Sequence, residues 1–256
     1  MAIVNITPLG TVSPYPKGKM NCPSFLVEYG DRKILLDCGN GCTSMLKFPY
    51  ILDNLLVIIS HYHKDHYSDI GAIQYASYAY NNLGMLNKPV EVYLPLDEIE
   101  NAKSSITSNH ASFCVYHDID SFKKIKVLDM IITFYDNKSH SIPCYVISLE
   151  VDGLKIVYTA DVGSTNMDKL ADFCKNADLL ICESSFLREH NSNVNTHLKA
   201  YEAGILACKA DVKKLLLTHF WPEEDKEKYL NEAKREFVNS DVAVEGKKMV
   251  LKGVRR

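Results

Sequence analysis

The chain has 256 residues, 46% apolar and 24% charged, a balance that supports a sizeable folded core and excludes a disordered or membrane-embedded chain. Its formal net charge of −3 argues against a protein that wraps long nucleic acid through a basic surplus. A small anionic substrate stays compatible, because bound metal ions supply positive charge locally. In chain order, MAIVNITPLG lacks the basic start, apolar centre and small-residue cleavage site of an export signal. The densest apolar run, 55–59, is far too short to cross a bilayer, so the expected setting is cytoplasmic with no membrane partner. Strand-like runs fall at 2–6, 24–29, 33–36, 55–59, 90–94, 127–135, 144–151, 154–159, 179–182, 215–217 and 249–251. Gly30-Asp31 and Asp152-Gly153 read as hairpin turns between neighbouring runs. Helical patterns cover 68–80, 166–174, 197–209 and 223–237, with Pro222 where a first helical residue would stand. Early and late hairpins with interleaved helices suggest two mixed sheets packed face to face with helices outside. No linker or repeat interrupts the chain, so one domain, 1–256, is expected. Eight cysteines without a CxxC pair (22, 38, 42, 114, 144, 174, 182, 208) read as small reduced core residues.

The chemistry concentrates at His61-Tyr62-His63-Lys64-Asp65-His66, directly after the apolar run LLVIIS. Three imidazoles and a carboxylate on a loop after a buried strand can point to one centre, and this donor set suits zinc, with manganese or iron compatible. One such cluster cannot complete two coordination shells. Three later strand ends each offer a further candidate: His140 in NKSHSIPCY, Asp161 after KIVYTA and His219 after KKLLLT. Strand ends are the edge on which αβ enzymes place their chemistry.

H-x-H-x-D-H, followed by His, Asp and His at successive strand ends, resembles the metallo-β-lactamase superfamily over nearly the whole chain. The resemblance implies an α/β fold, the αββα sandwich of two mixed β-sheets with outer helices. It also implies two zinc ions per chain, manganese being possible. His61, His63 and His140 would hold the first, Asp65, His66 and His219 the second, and Asp161 would bridge them. A carboxylate bridge fits an ion separation of roughly 3.5–4 Å with a water of pKa about 7 between them.

Leu9-Gly10-Thr11, ADLLICESSF and THLKAYEAGILACKADVKKLLLTHF are similar to the ribonuclease Z branch. There a histidine opening the helix before the last ligand strand pairs with a glutamate and protonates the leaving oxygen. The matching residues are His197 and Glu183, which join Asp65 as candidate catalytic residues. The chain departs from ribonuclease Z in lacking its long tRNA-gripping arm, since only SIPCYVISLEVDGLKIVYTA separates His140 from Asp161. Length and missing arm resemble the compact anti-Pycsar cyclic-nucleotide phosphodiesterases of phages and bacteria. That likeness implies a homodimer that hydrolyses 3′,5′-cyclic pyrimidine nucleotides (cCMP, cUMP) to monophosphates in a host cytoplasm, with no large nucleic acid as partner. Alternatives are a tRNA 3′-processing endonuclease, a glyoxalase II-like thioester hydrolase, and a binding protein with a decayed site. Residues 104–117 read as a surface loop with partly buried aromatics, or else as a lid stacking a base on Phe113 or Tyr116 with His110 near a phosphate. Tyr75, Tyr78 and Tyr80 read as packing residues of their helix.

Overall fold

The computed structural model describes residues 2–95, 106–107, 111–121, 123–190 and 194–253. Seven strands form a first sheet: β1 (Ile3–Gly10), β2 (Ser24–Tyr29), β3 (Arg32–Leu36), β4 (Leu55–Ile58), β5 (Val90–Leu94), β6 (Cys114–Asp118) and β14 (Met249–Lys252). Its order is β14-β1-β2-β3-β4-β5-β6, antiparallel as far as β3 and parallel from β3 to β6. The second sheet holds β7 (Lys124–Val127), β8 (Met130–Asp136), β9 (Tyr145–Val151), β10 (Leu154–Tyr158), β11 (Leu179–Glu183), β12 (Leu215–Thr218) and β13 (Ser240–Val242). Its order runs β13 to β7, antiparallel among β7–β10 and parallel among β10–β13. The two sheets thus repeat one connection pattern that no sequence repeat announces. Helices α1 (Lys64–Tyr67) and α2 (Ile70–Asn82) follow β4, whereas α3 (Met167–Cys174), α4 (Ala200–Lys209) and α5 (Lys226–Glu236) belong to the second sheet. The architecture is the expected αββα sandwich.

Strand parity explains the layering. A parallel strand covered on both faces is apolar at every position, and β4 and β11 are of this kind. Leu56 and Ile58 of β4 meet Ile181 of β11, Ile147 and Ile156 in the core between the sheets. Leu55 and Val57 turn outward onto Ile70 and Ile73 of α2. Leu180 and Cys182 likewise turn outward, joining Leu170, Ala203, Leu206 and Tyr229 from the three helices.

Several sequence expectations change. The run 127–135 is two strands, because Leu128, at φ 54°, turns the chain between β7 and β8. Cys114–Asp118 is the edge strand β6 rather than loop or lid, and Phe113 and Tyr116 pack against the α2-side core. Cys114 and Tyr116 face that core while Val115 between them faces solvent. Residues 104, 105 and 108–110, with His110, lie outside the described residues. Helix α4 begins at Ala200, leaving His197 in the preceding loop, and α5 begins at Lys226. Asp225, not Pro222, marks that start, accepting a hydrogen bond from Glu227 N at 3.0 Å. Tyr75 and Tyr78 are 60% and 45% exposed instead of packed, whereas Tyr80 does pack on the core. All eight cysteines are free; six are buried, Cys114 is half-buried and Cys208 is exposed. Among the described residues no helix is long and apolar enough to cross a membrane.

The turn after β3 locks the 61–66 loop in place. Cys38 N donates to His66 O at 2.7 Å, and Cys38 O accepts from Asp69 N at 3.0 Å. Gly39 lies so close that a Cβ would overlap Asp65 O, whereas Gly71 on α2 faces open space. Gly39→Ala is therefore expected to lower stability by about 1–3 kcal/mol, as overpacking does. Gly71→Ala, in the first turn of α2, should leave stability unchanged or raise it by less than the about 0.5–1 kcal/mol gained in a helix interior. Denaturant unfolding of both variants checks this; a neutral Gly39→Ala would show that the contact does not constrain the loop.

Candidate metal centre

The C-terminal ends of the parallel strands from both sheets meet at one rim, and the candidate residues lie there. His61, His63, Asp65 and His66 follow β4; His140 follows β8; Asp161 follows β10; Glu183 ends β11; His219 follows β12. His197 joins them from the loop before α4. All nine sequence-derived site residues come together: seven form two compartments that share Asp161, and Glu183 and His197 lie beside them. In one, His61, His63, His140 and Asp161 each offer a donor atom, all within 4.8 Å of one another. In the other, Asp65, His66 and His219 do the same.

Asp161 is buried and divides its oxygens between the two. Its Oδ2 lies 3.4 Å from His61 Nε2, 4.0 Å from His63 Nδ1 and 3.9 Å from His140 Nε2. Its Oδ1 lies 3.1 Å from His66 Nε2 and 3.0 Å from His219 Nε2. Asp65 Oδ2 completes the second compartment at 3.6 Å from each of the last two nitrogens.

Hydrogen bonds behind the rings fix which nitrogen faces inward. Asp37 accepts from His66 Nδ1 at 2.7 Å, so His66 presents the Nε2 lone pair. Ser60 Oγ donates to Asp37 Oδ2 at 2.9 Å, leaving its oxygen to accept from His61 Nδ1 at 2.9 Å. Ser185 Oγ donates to Glu183 Oε2 at 2.6 Å and faces His219 Nδ1 at 2.8 Å. Thr196 O accepts from His140 Nδ1 at 3.2 Å. Four Nε2 lone pairs therefore converge, joined by Nδ1 of His63. Ser13 Oγ donates to Asp65 Oδ2 at 2.7 Å and holds that carboxylate in turn.

The arrangement fits metal ions. His66 and His219 Nε2 are 3.2 Å apart, and His63 Nδ1 and His140 Nε2 are 3.1 Å apart. Tetrahedral zinc with bonds of 2.0–2.1 Å separates its ligands by roughly 3.3 Å. His61 Nε2 and Asp161 Oδ1 are buried without a hydrogen-bond partner among the described residues. A buried polar atom left this way is costly unless something else satisfies it.

The charges at the centre are strongly coupled. Burial, with His66 nearby, pushes the His61 pKa down to about 4, and burial also lowers that of His140. Burial opposes charge on His66 and His219 too, but Asp161 and Asp65 outweigh it. His66 is held well above the ordinary histidine range and His219 is raised to about 10. Asp161 would itself be disfavoured by burial, yet His219, His66 and His61 keep its carboxyl well below the usual value.

Beside the two compartments stands a separate pair. Glu183 Oε1 accepts from His197 Nδ1 at 3.0 Å and from Val162 N at 2.9 Å. Although burial disfavours the charged ring, Glu183 raises the His197 pKa, which suits a proton donor. Asp37 is the residue that sequence reasoning missed. It is buried and accepts from Ser60 N, Ser60 Oγ, His66 Nδ1 and Tyr158 Oη. The signal was present, since Asp37 follows the apolar run KILL as the other candidates follow theirs. Ser13, Ser60 and Ser185 carry no comparable signal.

The sandwich and this centre define a class, and the chain belongs to it: the Beta-lactamase superfamily domain matches residues 32–220. Within that class the chain is similar to the probable metallo-hydrolase YhfI of Bacillus subtilis (strain 168), 31% identical over 84% of this chain and 86% of that one. The crystal structure of YhfI superposes with a TM-score of 0.87 at 28% identity, covering 97% of this chain and all of that one. Ribonuclease Z of Clostridium perfringens is 27% identical, covering 97% of this chain and 99% of its own length. The short form of human tRNase Z, at 19% identity, shares the fold with a TM-score of 0.70, covering 97% and 98% of the two chains. The chain is a metal-dependent hydrolase of this superfamily.

Metal must compete with protons at the second compartment. A histidine with a pKa raised to about 10 is protonated at pH 7.5 and must release that proton to bind metal. Zinc titration at pH 7.5, in buffers of different ionisation enthalpy, should show about two ions bound per chain and at least one proton released. Binding without proton release would contradict the coupling of His66 and His219 to the two carboxylates.

Proposed function

We propose that the protein is a dinuclear-metal phosphodiesterase that opens a 3′,5′-cyclic nucleotide to a nucleoside monophosphate. The observation that carries this reading is the His197–Glu183 pair, held at 3.0 Å beside a centre already supplied with seven other donor residues. A hydrolase acting on an easily expelled group has little use for a separate proton donor, whereas a sugar alkoxide needs one. When bound, two metal ions would polarise the phosphoryl group and acidify the attacking water. His61, His63 and His140 are assigned to one ion, Asp65, His66 and His219 to the other, and Asp161 to both. Zinc is the assigned metal, with manganese compatible with the same donors. The remaining work falls to the chain itself. Glu183 fixes the His197 ring and favours its charged form, and His197 gives a proton to the leaving oxygen. Asp37 holds His66 in the tautomer its position requires.

The assigned substrate is a cyclic pyrimidine nucleotide, cCMP or cUMP, destroyed by a homodimer in a host cytoplasm to evade a Pycsar-type defence. Support for a small substrate comes from the net charge of −3 and from the single hairpin, β9–β10, between His140 and Asp161. Ribonuclease Z relatives aligned over nearly the whole chain favour precursor tRNA as the second reading.

Purified zinc-loaded protein, offered cCMP, cUMP, bis-p-nitrophenyl phosphate, precursor tRNA and S-lactoylglutathione, should hydrolyse the first three. Preference for precursor tRNA would replace this reading with the second. His197→Ala should keep both metals and lower kcat on the cyclic nucleotide by roughly 10²–10⁴, the range for a general acid. The loss should be far smaller on bis-p-nitrophenyl phosphate, whose leaving group is stable without a proton. Equal losses on both substrates would count against proton donation by His197.

A further inference from the structure

A metal centre grips a phosphate and offers nothing to the rest of a nucleotide. Two large aromatic side chains that the core does not use stand on segments that lead away from this centre. Trp221, the single tryptophan of the chain, is 39% exposed and Tyr15 is 43% exposed. Their rings meet edge to face, with centroids 6.1 Å apart and planes at 72°.

The pair is held in place, although it is not buried. Tyr15 Oη donates to Glu223 Oε2 at 2.9 Å, and Lys17 pairs with Glu223 Oε1 at 3.4 Å. Trp221 N donates to Tyr229 Oη at 3.3 Å. The preceding Phe220 is anchored in the core against Tyr229, with ring centroids 5.0 Å apart.

Both aromatics grow from segments that touch the second compartment. Trp221 is two residues beyond His219. Tyr15 is two residues beyond Ser13, whose Oγ holds Asp65 Oδ2 at 2.7 Å. The segments are stitched together: Phe220 N donates to Thr11 O at 2.9 Å and Ser13 N to Phe220 O at 2.9 Å. With about 3.8 Å between successive Cα atoms, the Trp221 Cα lies within about 7.6 Å of that of His219 and the Tyr15 Cα within about 7.6 Å of that of Ser13. Other exposed tyrosines, Tyr50, Tyr75 and Tyr78, have no such tether.

We propose that Trp221, braced by Tyr15, is a stacking platform for the nucleobase of a nucleotide held by its phosphate at the metal centre. The proposal rests on the phosphodiesterase reading above and adds a specificity-determining residue to it. An exposed aromatic face accepts any base, so the platform separates nucleotides from diesters without a base rather than one base from another.

Two esters with the same leaving group test it: thymidine 5′-(p-nitrophenyl phosphate) and methyl p-nitrophenyl phosphate. In the zinc-loaded protein, Trp221→Leu should lower the ratio of kcat/KM for the nucleoside ester over the methyl ester by roughly 5- to 100-fold, the range for losing one base stack. Trp221→Phe should keep most of that ratio. A ratio within twofold of wild type in Trp221→Leu overturns the proposal. The wild-type protein gives a second reading, because all its tryptophan emission comes from Trp221. Uridine 5′-monophosphate should change that emission saturably and ribose 5-phosphate should not. Unchanged emission at uridine monophosphate concentrations that inhibit hydrolysis also overturns the proposal. Failure to hydrolyse either ester would instead remove the phosphodiesterase reading, and the emission measurements, run up to millimolar uridine monophosphate, would then decide the platform alone.

Discussion

One buried carboxylate organises the molecule. Asp161 is 1% exposed and has six imidazole nitrogens within 4.0 Å. His140 Nε2 and His61 Nε2 approach it from one compartment, and His66 Nε2 and His219 Nε2 from the other. Removing a partner from a buried ion pair typically costs about 3–5 kcal/mol, because the remaining charge is stranded. Such a group persists only where the surroundings are built around it. Its backbone is clamped accordingly: Asp161 O accepts from Asn137 Nδ2 at 2.9 Å and from Cys144 Sγ at 3.2 Å. The next residue, Val162, donates its N–H to Glu183. The carboxylate shared by the two donor compartments is thus coupled through one glutamate to the His197 ring.

The fold supplies this geometry through its strand ends. Parallel strands of both sheets stop at a common rim, and the chain leaves three of them in the left-handed region. Asp37, Ala160 and His219 have φ of 57°, 50° and 64°. Each such residue costs about 1–3 kcal/mol and persists only where its neighbours over-determine it. Here the compensation is visible. Asp37 collects four hydrogen bonds, Ala160 aims Asp161, and His219 is fixed by Ser185 on one side and faces Asp65 and Asp161 on the other. The two apolar layers outside the sheets hold these turns rigid by anchoring the strands that lead into them.

Much of this was legible in the sequence because the same pattern marked several parts. An apolar run followed by His or Asp located His61–His66, His140, Asp161 and His219, and the two hairpin turns located the antiparallel pairs β2–β3 and β9–β10. Strands covered on both faces were legible as continuous apolar runs. The missing parts have physical reasons. Strand β6 is an edge strand whose aliphatic Val115 is exposed while Cys114 and the polar-tipped Tyr116 pack inward, so no clean apolar alternation marks it. Strand β13 has three residues, too few for any period. The serines behind the rings are common loop residues that gain meaning only when a ring nitrogen lies within reach. Asp37 differs, since its position after KILL obeyed the rule that found the others.

The central claim is that one carboxylate holds two ions, and anomalous diffraction from crystals grown with zinc tests it most directly. The account expects two anomalous peaks per chain, roughly 3.5–4 Å apart, as in two-metal sites. Each should lie about 2.0–2.2 Å from a different oxygen of Asp161, the usual zinc–carboxylate distance. A single peak, or two peaks with Asp161 bound to neither or to only one, would contradict it.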